Sequence, residues 1–225
     1  MGYKLSKIYV GQNQVRPISH DPINLLTDVK YYYSIQGNGD NYTWTAAEAL
    51  SATTWTITYW DNYATLTNAV LRNNALTYTW QNQSIGIWCR LKTSGNSEFF
   101  SAAYDWNGAQ WWGMWIAVTV SQIVVSGAAY STSTYSTLQD LTWHFMVLTF
   151  DWSNAYLYKD GTQVGTISKT WSVRSTKWIS IWRFGNSSTF YNWDLWICFL
   201  TESSLSEQTV VDFYNATKWI YGISS

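Results

Sequence analysis

The amino-acid sequence predicts an all-β chain of antiparallel strands that ends in one short helix. Three observations carry that expectation. First, Thr142-Trp-His-Phe-Met-Val-Leu-Thr-Phe-Asp151 and Ala155-Tyr-Leu-Tyr-Lys159 place large apolar residues at the alternating spacing of a pleated, half-buried sheet. Second, Asp160-Gly161 forms a tight turn into Thr162-Gln-Val-Gly-Thr166, because the pair tolerates the positive φ that a two-residue hairpin needs. Third, Ser204 and Glu207 have the Ser-x-x-Glu spacing of a capping box, and Val210, Val211 and Tyr214 form an apolar stripe behind it.

Composition narrows the function. The 225 residues suffice for one large β domain, or one domain with a short appendage. Charged residues make up 12% and the net charge is −1, which argues against an electrostatic nucleic-acid binder. With 17 Trp and 17 Tyr there are more large rings than one core needs. Some are expected at a contact surface, where they offer apolar area and a hydrogen-bonding tip. No run reaches the roughly 18 apolar residues of a membrane span. The start, Met1-Gly-Tyr-Lys-Leu-Ser-Lys7, lacks the apolar centre of a secretory signal, so synthesis and retention in a cytosol, or release by lysis or assembly, is expected. Cys89 and Cys198 sit in strand-like runs and are expected as two buried thiols.

Along the chain, residues 1–30 read as an N-terminal arm. They hold both prolines, Pro17 and Pro22, and a short apolar strand with Ile8, Tyr9 and Val10. Gly11-Gln-Asn13 is the expected turn, followed by Val15, Arg16 and Pro17. Residues 31–225 are expected to form the body. Trp55, Ile57 and Tyr59 alternate with threonines as in a half-buried strand, and Asn73-Asn-Ala-Leu-Thr-Tyr-Thr-Trp80 is a turn followed by a strand. Gly37-Asn-Gly-Asp40 is a loop, and no Lys-Ser/Thr pair follows it to make a phosphate loop. Further strands are expected at Gln83–Arg90, Glu98–Tyr104, Trp112–Val120, Gln122–Ser126, Trp178–Gly185 and Phe190–Phe199.

The order of these pieces from about residue 80 to 215 resembles the laminin G-like, concanavalin A-type jelly rolls. Gln83-Ser-Ile-Gly-Ile-Trp-Cys-Arg90, the Trp143-His strand, Tyr158-Lys-Asp-Gly161, Phe190-Tyr-Asn-Trp-Asp-Leu-Trp-Ile-Cys-Phe199 and Leu205-Ser-Glu-Gln208 follow the family's sequence of motifs. The resemblance implies a two-sheet antiparallel jelly-roll sandwich used for binding and display. Separately, Lys7-Ile-Tyr-Val-Gly11 with Val15-Arg-Pro17 resembles the opening of many tailed-phage virion proteins. That likeness implies an arm, with Ile8, Tyr9, Val10, Val15, Arg16 and Pro17, that anchors the chain to a virion.

Chemistry is mostly absent. Glycoside hydrolysis on such a fold needs two carboxylates flanking the bond, and Glu48, Glu98, Glu202 and Glu207 lack the expected spacing. His144 shares the parity of Met146, Leu148 and Phe150 and reads as a sheet-face histidine; His20 lies in the arm. No cofactor is expected. Ca²⁺, which some relatives of the resembled family bind, would have Asp105, Asp151 and Asp194 as candidate ligands near loops. Asp105 and Asp151 also suit turn formation.

The most suggestive surface stretch is Tyr104-Asp-Trp-Asn-Gly-Ala-Gln-Trp-Trp112. Sugar rings stack on Trp106, Trp111 and Trp112 while Asp105, Asn107 and neighbouring amides take hydroxyls, with Tyr104 beside them. Packing of the same rings beneath the loop or against a neighbouring subunit is the competing reading. The expected function is a bacteriophage virion structural protein — capsid decoration, fibre or tail-associated — displaying a binding domain, without catalysis. Expected partners are other virion proteins or further copies of the chain, and a host-surface glycan; no nucleic acid and no membrane span is expected. The alternatives are a free bacterial carbohydrate-binding module and a degenerate glycanase.

Overall fold

A computed structural model describes residues 9–10, 14–15, 22–34, 51–52, 56–59, 63–67, 71–73, 78–80, 82–91, 98–107, 110–118, 123–127, 131–135, 141–151, 153–168, 174–176, 179–183 and 192–221. The first strands are β1 (Tyr9–Val10), β2 (Gln14–Val15), β3 (Val29–Ser34), β4 (Ser51–Ala52), β5 (Thr56–Tyr59) and β6 (Ala64–Thr67). Next come β7 (Leu71–Asn73), β8 (Tyr78–Trp80), β9 (Gln83–Leu91), β10 (Glu98–Asn107), β11 (Gln110–Val118), β12 (Ile123–Gly127) and β13 (Ser131–Tyr135). The last are β14 (Trp143–Phe150), β15 (Asn154–Lys159), β16 (Thr162–Ser168), β17 (Arg174–Thr176), β18 (Ile179–Arg183) and β19 (Asn192–Thr201). The helix α1 covers Glu207–Thr217, and a 3-10 turn spans Pro22–Leu25.

Two antiparallel sheets form the sandwich. One runs β13-β12-β11-β10-β18-β7-β4 and the other β16-β15-β14-β9-β19-β6-β5, with β3 also on β19. Strands from residues 29–73 thus enter both sheets. Leu26 is buried in the core and β3 pairs with β19, so the chain joins the body before residue 31, where the arm was expected to end. The reason is burial: Leu26 and Ile23 pack with the cluster under α1.

The hairpin stands as the sequence predicts. β14 pairs with β15 and β15 with β16, and Asp160 and Gly161 have φ of 52° and 79°. One expectation changes. β14 is not half-buried; all eight of its residues are buried. Phe145 and Val147 join Phe199, Leu205, Val210 and Phe213 in a cluster against α1. His144, Met146, Leu148 and Phe150 alternate with them and lie on the other face, towards the second sheet. Covering both faces explains why the stretch is almost continuously apolar.

Trp88 organises the layer between sheet and helix. Its ring stacks on Phe145 (centroids 5.4 Å apart) and on Tyr214 (5.8 Å). Its Nε1 donates to Thr217 Oγ1 at 2.9 Å, and that hydroxyl donates to Phe213 O at 2.7 Å. The expected capping box does not form. Ser206 is the N-cap, accepting from Thr209 N at 3.1 Å. Ser204 Oγ instead meets Thr149 Oγ1 at 3.0 Å, drawn into a buried hydroxyl chain with Ser84. The buried stripe of α1 is Val210, Phe213 and Thr217, with Val211 and Tyr214 half-buried.

Candidate functional site

The predicted aromatic stretch is a β-hairpin end. β10 and β11 pair from Glu98↔Val118 to Asn107↔Gln110, with a bulge between Ala102 and Asp105 that adds one residue to β10. The bulge includes the position of Tyr104. Beyond it Asp105 stands opposite Trp112, Trp106 opposite Trp111, and Asn107 opposite Gln110. β18 pairs with β10 only from Glu98 to Ala102, and β12 pairs with β11 only from Trp115 to Val118. Among the described residues, 105–107 and 110–112 therefore pair only with each other, as a two-stranded tip continuing past the sheet. Bulges at such positions raise the local twist and re-aim the strand end. Gly108 and Ala109, which join the two strands, lie outside the described residues.

The arm contains a second two-stranded unit. Tyr9 pairs with Val15 and Val10 with Gln14, in a ribbon separate from both large sheets. Ile8, Arg16 and Pro17 lie outside the described residues.

Three polar clusters are formed by side chains that the structure describes. In the first, Asp194 is fully buried, Thr65 Oγ1 donates to its Oδ1 at 2.6 Å, and Arg90 Nε donates to its Oδ2 at 2.8 Å. Arg90 Nη2 also donates to Oδ2. Tyr63 and Trp143 lie 5.5 and 5.1 Å from the guanidinium carbon, within cation–π range. In the second, His144 Nδ1 meets Asp160 Oδ2 at 2.6 Å and its Nε2 meets Thr142 Oγ1 at 3.1 Å. In the third, Asp151 accepts from Ser153 N, Asn154 N and the Tyr156 hydroxyl. Burial alone would raise the Asp151 carboxyl, but these donors together hold it below the ordinary carboxylate range.

These contacts bear on the Ca²⁺ candidates. Asp194 sits two residues into β19, and both its oxygens are engaged by Thr65 and Arg90. Asp151 closes the turn that leads into β15. Among the described residues no three His, Cys, Asp or Glu side chains come together as a metal site would require. Glu202 and Glu207 are both exposed, one at the end of β19 and one at the start of α1. Cys89 and Cys198 are both buried thiols outside any disulfide, and burial pushes the Cys198 thiol far up, so it stays protonated.

The sequence alone did not bring Arg90, Thr65, Tyr63 and Trp143 together around Asp194. Arg90 and Asp194 are 104 positions apart and meet only through the β9–β19 pairing. No local pattern marks the cluster.

No protein-family model and no curated protein matches this chain. Solved structures do. The botulinum neurotoxin serotype G binding domain superposes with a TM-score of 0.64 at 15% identity, over 85% of this chain and 51% of that one. The chain shares that sandwich fold. A structure of botulinum neurotoxin type C, a toxin whose cell entry depends on interaction with two ganglioside molecules, gives 0.60 at 14% identity, over 82% and 50%. A Trypanosoma rangeli sialidase gives 0.63 at 12% identity, over 87% and 34%. The chain spans about half the length of the toxin domains it matches. The neighbours thus include binding domains and one enzyme, all on a lectin-like β-sandwich.

Proposed function

We propose that this chain is a non-catalytic binding protein of a bacteriophage virion, held by its N-terminal arm and displaying the sandwich outward. The observation that carries the binding half is the β10–β11 tip. It sets Trp106 against Trp111 and Asp105 against Trp112, beyond the strands that flank the hairpin. A strand end that carries indole, carboxylate and amide residues has the groups that suit the C–H faces and hydroxyls of a host-surface glycan. Many copies on a particle would compensate for a weak single site.

The virion half is supported by the phage-like opening sequence and by the separate β1–β2 ribbon. In this reading Ile8, Tyr9, Val10, Val15, Arg16 and Pro17 contact other virion proteins or copies of the chain. The absence of a catalytic step is supported by the scattered glutamates and by the engagement of Asp151 and Asp194 in structural bonds. A glycan array with wild type and with Trp106, Trp111 and Trp112 together replaced by Ala tests the tip. Signal lost in the triple variant supports it; no signal from wild type removes it. Deleting residues 1–17 tests the anchor, which fails if the truncated chain still enters particles fully.

A second reading, a free carbohydrate-binding module, is favoured by the botulinum neurotoxin type C neighbour, whose cell entry depends on interaction with two ganglioside molecules. The two separate on the truncation: a free module keeps its full behaviour without the arm.

A further inference from the structure

We propose that the outer edge of the Arg90 guanidinium binds the carboxylate of an acidic sugar, at a site on the eight-stranded sheet away from the β10–β11 tip. The inference rests on the glycan-binding reading above and adds a second site to it.

The geometry starts from donor counting. A guanidinium has five N–H groups in a rigid plane. Arg90 Nε and Nη2 each send one to Asp194 Oδ2, which occupies the side-on edge of the fork. The Nη1–Nη2 edge remains, with donors spaced to take both oxygens of a second carboxylate. Among the described residues the Arg90 side chain makes no further hydrogen bond. Asp194 is 0% exposed and the Arg90 side chain 29% exposed, so the ion pair has its water-accessible side at Arg90.

The group is also held still. Asp194 is fixed in turn by Thr65, and the rings of Tyr63 and Trp143 stand beside the guanidinium, edge-on to each other at 5.5 Å. A cation fixed before its ligand arrives loses little freedom on binding. Asp194 and Thr65 are therefore positioning residues, while Arg90 would touch the ligand.

A second, independent observation lies two residues ahead of Trp143, which pairs with Arg90. Leu141 is 48% exposed and has φ of 57°. A leucine in the left-handed region costs on the order of 1–3 kcal/mol and is found where surrounding structure imposes it for use. It leaves an aliphatic side chain in solvent on the segment that leads into Trp143, the residue paired with Arg90 and in ring contact with the half-buried Tyr63. A pyranose carrying a carboxylate uses all three: the acid on the fork and the C–H face on Tyr63 and Leu141. An acidic peptide side chain has no ring to lay there, so a sugar acid fits better.

The test is ¹H–¹⁵N NMR titration of the full chain with glucuronic acid and N-acetylneuraminic acid, against the methyl ester of each and an acetylated Glu-containing tripeptide. Saturable shifts at Trp143 and Arg90 are expected for the acids. The esters should bind about tenfold more weakly, the scale of one lost charge-assisted pair. Arg90→Lys keeps the charge on Asp194 but loses the planar fork, and should weaken the acids similarly. If Arg90→Lys does not fold, Leu141→Asp, on an exposed position, should weaken them by repulsion. The Trp106/Trp111/Trp112 triple variant should bind the acids as wild type does. Failure of the tip alone leaves this titration intact. The proposal is overturned by no saturable shift in wild type, by esters or tripeptide binding as well as the acids, or by Leu141→Asp binding unchanged.

Discussion

His144 and Asp160 lie 2.6 Å apart, Nδ1 to Oδ2, across the base of the turn that reverses the chain between β15 and β16. Asp160 holds β14 in two further ways: its Oδ1 accepts from Phe145 N at 2.9 Å, and its own N donates to Phe145 O at 2.8 Å. One aspartate therefore satisfies the turn, the end of β14 and a nearly buried imidazole. Its left-handed backbone, φ 52°, is tolerated because Asp accepts that region more readily than most residues. Replacing Asp160 by Ala should cost about 1–3 kcal/mol, because Phe145 N and His144 lose a buried acceptor. Asp160→Asn, which keeps the turn preference, should cost less. Urea midpoints of the two variants check the order; equal losses would show that the carboxylate, and not the turn preference, matters.

Gly86 gives a sharper case. A Cβ there would overlap the Phe199 ring, which itself packs on Phe145 and Phe213. The ring belongs to the helix-facing cluster, so displacing it disturbs its packing on Phe145 and Phe213. Gly86→Ala should therefore destabilise by about 1–3 kcal/mol through overpacking, despite adding β propensity. A thermal melt of Gly86→Ala alone and with Phe199→Leu tests it: the second change should recover part of the loss.

How much of this was legible beforehand follows from distance along the chain. The Asp160-Gly161 turn was, because positive φ at two adjacent positions limits the residue choice there. The strand pattern was too. The helix start was read one turn-residue pair early: Ser204 and Ser206 flank Leu205, and local spacing favours Ser204 with Glu207. Thr149, 55 positions away, takes the Ser204 hydroxyl and leaves the cap to Ser206. The Arg90–Asp194 pair and the full burial of β14 depend in the same way on partners that no window of neighbouring residues contains. At the tip the reverse holds. The aromatic loop was legible as composition, and its register, Trp106 opposite Trp111, came only with the pairing of β10 and β11.

Thr217 links the helix to the sheet through one hydroxyl that accepts from Trp88 Nε1 and donates to Phe213 O. Both the indole and the threonine are completely buried. Thr217→Val keeps the shape but leaves the indole N–H without this acceptor, a loss of about 1–3 kcal/mol. Thr217→Ser keeps the hydroxyl and should lose less. Trp88→Phe in the Thr217→Val background should show the two changes to be non-additive, since they remove the same bond. Additive losses in that cycle would show that the hydrogen bond is not what couples them.

The buried thiols make a chemical prediction. Cys198 lies in β19 with its thiol pushed far up by burial, and Cys89 is 2% exposed in β9. Only the thiolate attacks a disulfide reagent. Neither cysteine should react with Ellman's reagent in native buffer at pH 8, and both should react at once in concentrated guanidinium chloride. Rapid reaction of either in native buffer would mean that β9 and β19 separate far more readily than their packing implies.

The pH dependence of stability should lie on the alkaline side. Burial raises the Tyr158 phenol, with Glu207 adding to it, and burial also raises Tyr214, with Asp160 adding. Tyr156 is raised first by its hydrogen bond to Asp151. In the unfolded chain these phenols ionise near about 10. A folded-state pKa above that value means the native state keeps a proton that the unfolded state gives up. Their contribution is therefore complete below the unfolded value and is lost as pH rises through the folded one. Urea midpoints should be flat for these groups up to about pH 9 and fall above it. Tyr158→Phe is the cleanest check, because its hydroxyl makes no hydrogen bond among the described residues. It should leave stability at pH 7 nearly unchanged and make the decline between about pH 9 and 11 shallower. An unchanged alkaline slope in that variant would show that Tyr158 does not resist ionisation in the folded protein.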